Sequence, residues 1–160
     1  MKEPEDDLRA RLVALALEWQ ARYSVAPHIT NAISEYDAAL LVGHSPESYS
    51  RDCMGRTAVT RGADFSHNGL RYQVKGSRPS GSRGSAVSKL GKAANYEWDR
   101  LLWLLYDVRY NLLEVWEWEV GAYRDAFDAQ VTIRPPDMRL GHCLFTRASS
   151  VAGEPNTLRS

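Results

Sequence analysis

The sequence has only two cysteines, Cys53 and Cys143, far apart and with no second Cys or His at metal-ligand spacing. A disulfide framework and a thiolate zinc site are thereby excluded as organisers of the fold. No apolar run reaches the roughly 18 residues that a membrane-spanning helix needs. The opening MKEPEDDLRARL is acidic and polar, where a signal peptide would need a basic start and an apolar stretch. These absences lead us to expect a cytoplasmic protein (nucleoid-associated and phage-encoded settings included) with no membrane partner and no small-molecule cofactor. Net charge is missing too, with 20 basic and 20 acidic side chains.

What is present is an ordinary globular composition. A chain of 160 residues, 44% hydrophobic and 25% charged, suits one domain with a real core. We expect that domain over residues 1–147, followed by a polar tail at 148–160. The balanced charge hides an uneven distribution. Residues 61–95 carry seven basic side chains (Arg61, Arg71, Lys75, Arg78, Arg83, Lys89 and Lys92) against one acid, Asp64. Residues 96–130 carry three basic and eight acidic ones. A concentrated basic segment is suited to local contact with a polyanion, or else is a solvated loop.

Hydrophobic spacing gives the order of elements. Leu8, Leu12, Leu15, Ala16 and Trp19 recur at helical intervals and predict an amphipathic helix over Glu5–Tyr23. A second helix is expected from about Asn31 to Val42, with Ala32, Ile33, Tyr36, Ala39 and Leu40 on its apolar face and Gly43 as a stop. Residues 44–56, with Pro46 and several serines, look like a loop. The glycine- and serine-rich, basic stretch 78–95 predicts a mobile loop. Leu101–Tyr106 is a continuous apolar run, as in a strand buried on both faces. In 113–120, Trp116, Trp118 and Val120 alternate with Glu117 and Glu119, the pattern of a half-exposed strand, and 120–129 suits a short helix.

Between these lies a hairpin. Asn68-Gly69 accepts the positive φ angles of a two-residue type I′ turn at low cost, which predicts strands on either side. That turn fixes the register: His67 opposite Leu70, Ser66 opposite Arg71, Phe65 opposite Tyr72, Asp64 opposite Gln73. Opposed residues share a face, and side chains repeat every second position. Asp64, Gln73 and Lys75 therefore converge on one side, while Phe65, Tyr72 and Val74 enter the core on the other. A carboxylate, an amide carbonyl and an ammonium at one point suit phosphodiester hydrolysis. A hard cation takes oxygen ligands, and the ammonium orients or deprotonates the attacking water. The plainer alternative is a surface ion pair between Asp64 and Lys75, with Gln73 as a hydrogen-bonding neighbour.

Asp64, eight residues, then Gln73-Val74-Lys75 resembles the signature of the PD-(D/E)xK nuclease superfamily, in its QxK variant. The resemblance implies a restriction-endonuclease-like α/β (α+β) fold: a mixed sheet, an N-terminal helical pair and a central β-hairpin. By the same resemblance Asp64 is the principal metal ligand, Gln73 stands in the Asp/Glu place, and Lys75 is the catalytic lysine. Glu35 on the second helix matches the upstream acid, and Asp64, Gln73 and Glu35 would hold Mg²⁺ or Mn²⁺. The chain departs from the pattern in lacking the proline before the first acid, in carrying Gln73, and in showing no helix between the third and fourth core strands.

The expected activity is metal-dependent cleavage of duplex DNA by an endodeoxyribonuclease of restriction, homing or phage-defence type, acting as a homodimer or higher homo-oligomer. Two alternatives stay open: an inactive nuclease-fold DNA-binding or assembly protein, and an RNA-directed nuclease or toxin. Arg71, Arg78, Arg83, Lys89 and Lys92 are expected at phosphates, and His67 is a candidate proton shuttle. The tryptophans suit core packing better than base stacking.

Overall fold

A computed structural model of the chain describes residues 7–56 and 62–147. The expected tail at 148–160 lies outside the described residues. The elements are α1 (Leu8–Tyr23), α2 (Thr30–Val42), α3 (Pro46–Gly55), β1 (Phe65–His67), β2 (Leu70–Ser77), β3 (Arg100–Tyr106), β4 (Leu112–Glu119), α4 (Val120–Phe127), α5 (Pro135–Met138) and β5 (His142–Thr146). The five strands form one mixed sheet in chain order, β2 and β3 parallel and the other pairs antiparallel. The architecture is mixed α/β, as expected. Among the described residues no helix is long and apolar enough to cross a membrane.

The hairpin forms as its sequence dictates. Asn68 and Gly69 take φ of 47° and 77°, and the register is Phe65 with Tyr72, Ser66 with Arg71 and His67 with Leu70. On one face of the sheet, Tyr72, Val74, Leu102, Leu104 and Tyr106 pack against Ala16, Ile33, Ala38 and Ala39 of α1 and α2. On the other, Leu101, Trp103 and Trp118 pack with Trp98, Tyr123, Phe127, Ile133 and Met138. The run Leu101–Leu104 is fully buried, so β3 is the central strand its sequence predicts.

Three expectations need correction. Residues 44–56 are not a loop, since α3 fills most of them. Ser45 and Ser48 form a reciprocal capping box, with bonds of 3.0 and 2.9 Å, and Pro46 sits in the first turn, where its missing N–H costs nothing. The connection 78–99 has neither helix nor regular strand, yet it is pinned across the second face. Leu90 N–H donates to Ile133 O at 2.9 Å, Ala93 N–H donates to Tyr123 Oη at 3.0 Å, and Trp98 is buried. Finally, α1 does not bury the face its spacing advertises. Val13, Ala16 and Leu17 face the sheet, while Leu8, Leu15, Trp19 and Tyr23 are exposed.

What fastens α1 is polar. Arg9 makes a bidentate pair with Asp37 of α2 at 2.6 and 2.7 Å and donates to Tyr110 O at 3.1 Å, while Tyr106 Oη donates to Asp37 at 2.7 Å. Asp37 thus joins both helices to the end of β3. Asp37→Ala strands a guanidinium and a buried phenol, and should lower stability by about 3 kcal/mol in urea denaturation.

Candidate active site

The site is built outward from β2. Alternation along that strand sends Tyr72 and Val74 to the helical face and Arg71, Gln73 and Lys75 to the opposite face. Asp64 lies just before β1 and extends its pairing: its N–H donates to Tyr72 O at 2.7 Å. Its Oδ2 accepts from Gln73 Nε2 at 2.7 Å and from the Val74 N–H at 2.6 Å. Asp64 is therefore held by one side-chain and one main-chain donor. Burial still pushes its carboxyl above the usual carboxylate range, against the Val74 bond and the positive charges of Lys75 and Arg56.

Glu35 completes the acidic pair. Its pKa is pushed up to about 7, chiefly by burial and then by the nearby charge of Asp64, with Arg56 opposing. The helix that carries it packs closely on β2, and Gly76 allows the approach. A Cβ at that position would sit 2.5 Å from Ser34 Oγ and 2.6 Å from Ser34 Cβ. With only hydrogen there, α2 settles onto β2 one residue beyond Lys75, and Ser34, next to Glu35, is 1% exposed.

The raised pKa of Glu35 has a consequence for stability. Between pH about 4.5 and 7 the folded protein keeps a proton that the unfolded chain has released, so stability falls as pH rises through that window. Allowing for solvent screening, the full cost above pH 7 is about 1–2 kcal/mol. Glu35→Gln should recover it at pH 8 in metal-free buffer and recover little at pH 4.5. Urea denaturation at the two pH values checks this; equal gains at both would mean that Glu35 is not the titrating group.

Asp64 and Gln73 are thus in direct contact, and Lys75 and Glu35 act electrostatically on Asp64 or under its influence. Gln73 presents its NH₂, not its carbonyl oxygen, to Asp64. In this arrangement it fixes the carboxylate rather than sharing a cation with it. His67 lies three residues beyond Asp64, about 10 Å along an extended strand. Its ring packs on His44 with centroids 4.6 Å apart.

The basic residues divide into two groups. Arg78 stacks on Tyr110, donates to Gln20 Oε1 at 2.8 Å and bonds to Val108 O. Lys92 donates to Asp128 O at 2.6 Å and Gln130 O at 3.3 Å. Both tie the connection 78–99 to the rest of the fold. Arg83 and Lys89 are exposed, and Arg71 is an exposed partner of Asp99 at 3.5 Å.

Sequence reasoning missed Arg56 and Arg51. A cleft of about 390 Å³ opens between α3 and β1, with Arg51, Arg56 and Arg71 along its wall. Arg56 pairs with Asp52 at 3.2 Å and bears electrostatically on both Asp64 and Glu35. Recognising α3 as a helix, from Ser45-Pro46, would have been the signal that placed them.

Among the described residues no three His, Cys, Asp or Glu side chains form a cluster able to hold a metal. Asp64 and Glu35 supply two half-buried carboxylates, one short of such a cluster. Compared with models of known protein families and with curated proteins, the sequence finds no match in either.

Proposed function

We propose that the chain is a metal-dependent nuclease of the PD-(D/E)xK type that hydrolyses phosphodiester bonds in duplex DNA. The observation that carries this reading is Asp64, half-buried and fixed on the hairpin by Gln73 Nε2 and the Val74 N–H, with Lys75 and Arg56 bearing on it and the half-buried Glu35 near it. Perturbed acids next to fixed cations are an arrangement for chemistry more than for stability. The mixed sheet is compatible with a restriction-endonuclease-like core. The site hairpin leads through a crossover, residues 78–99, into a parallel strand, and that crossover carries no helix.

In this reading Asp64 and Glu35 hold Mg²⁺ or Mn²⁺, and a rotation of the Gln73 amide would add a neutral oxygen. A bound divalent cation supplies Lewis acidity and a water of lowered pKa. Asp64 is kept in place by Gln73 and the Val74 N–H. Lys75 orients the attacking water and opposes charge growing on the phosphate. Arg56, with Arg51 and Arg71 in the adjoining cleft, receives the neighbouring backbone phosphates, and Arg83 and Lys89 extend the contact. Arg78 and Lys92 are scaffold.

The presence of Gln73 where the family usually has an acid, with its NH₂ turned to Asp64, favours one second reading: a DNA-binding protein that has lost catalysis. One experiment separates the readings. Supercoiled plasmid and labelled RNA are incubated with the protein in Mg²⁺, Mn²⁺ or EDTA. Metal-dependent nicked or linear plasmid supports the nuclease, and RNA cleavage alone redirects it to RNA. Retardation without cleavage supports the binder. Neither binding nor cleavage would overturn both.

A further inference from the structure

We infer that α1 is a self-association surface, and that its occupant is α1 of a second copy lying antiparallel to it. Leu8, Leu15, Trp19 and Tyr23 are 71%, 64%, 54% and 55% exposed, and Leu12 is 36% exposed. At 100° per residue these five side chains fall within one stripe about 80° wide, turned roughly 100° away from the Val13–Ala16–Leu17 side that meets the sheet. Trp19 and Tyr23 are already in ring contact, with centroids 4.6 Å apart. A stripe this long on a helix held by the Arg9–Asp37 pair is not explained by the fold of one molecule.

Two arguments identify the occupant. First, the stripe is nearly palindromic about a point between Leu15 and Ala16. In an antiparallel pair Leu8 meets Tyr23, Leu12 meets Trp19, and the two Leu15 side chains flank the twofold axis. A closed isologous contact requires that self-complementarity. Second, the exposed stripe amounts to roughly 500 Å² per copy, near the lower limit of the area that a specific dimer buries.

This inference does not depend on the nuclease reading, and its test does not use activity. The full chain is examined by sedimentation equilibrium from 1 to 100 μM, expecting a dimer of the 18.0 kDa chain. Leu15→Glu with Trp19→Glu should give a monomer throughout, weakening association at least a hundredfold, with an unchanged circular dichroism spectrum. In a background with Cys53→Ser and Cys143→Ser, Leu15→Cys should cross-link to itself on mild oxidation and Leu8→Cys should not. Cross-linking at both positions would mean a parallel pair and overturn the arrangement. A wild-type monomer at 100 μM, or a dimer indifferent to the two glutamates, would overturn the surface itself.

Discussion

Asp64→Asn is expected to slow plasmid cleavage by about a thousandfold or more, a loss of ~4 kcal/mol in transition-state stabilisation. The substitution is chosen for its shape. The asparagine oxygen still accepts from the Val74 N–H and Gln73 Nε2, the two donors that hold the native carboxylate at 2.6 and 2.7 Å. What disappears is the charge. If Asp64 only stapled the hairpin, Asn would serve nearly as well, and cleavage would persist. Lys75→Met, which keeps the length of the side chain, should produce a loss of similar order with the thermal midpoint within a few degrees. Full cleavage by Asp64→Asn would remove the carboxylate pair from the chemistry.

Gly76→Val should also have a large effect, and for a reason of space alone. A side chain there meets Ser34 at 2.5–2.6 Å. Both partners lie within regular elements, so α2 must lift off β2. We expect a stability loss of about 2–3 kcal/mol from overpacking. Glu35, next to Ser34, would lift away with it. At a temperature where the variant is fully folded, cleavage should fall by about a hundredfold, the scale on which a misplacement of some 1 Å operates. A variant that loses stability but cleaves at the native rate would show that Glu35 does not need this close approach.

Much of this was legible in the chain, and the reason is local. The Asn-Gly turn fixes its own strand register, so the Asp64–Gln73 contact followed from counting. The run Leu101–Tyr106 has the length and unbroken apolar character of a buried strand. Other features are not local. Apolar spacing in α1 says that Leu8, Leu12, Leu15 and Trp19 share a face, but it does not say which way the face points. Here Arg9 and Asp37 decide, across 28 residues of sequence. The capped start of α3 was present in Ser45-Pro46, but the serines that follow read as a loop. β5 is only five residues long and is a strand because β4 lies beside it. Arg56 reaches the carboxylates through α3, so a sequence in which α3 is missed has no place for it. Lys92 and Arg78 look like phosphate ligands by charge, yet carbonyl groups of distant loops claim them.

The dipeptide that makes the hairpin inexpensive to fold also gives it a chemical lifetime. Gly69 has no side chain to shield its nitrogen, and both residues of the bend are exposed. Attack of that nitrogen on the Asn68 amide carbon releases ammonia and closes a succinimide. Hydrolysis then leaves mostly isoaspartate, with one extra methylene in the backbone. An ageing sample would thus acquire a longer, negatively charged bend at the point that brings Asp64 opposite Gln73. Storage at mildly acidic pH, where the reaction is slow, is the practical safeguard.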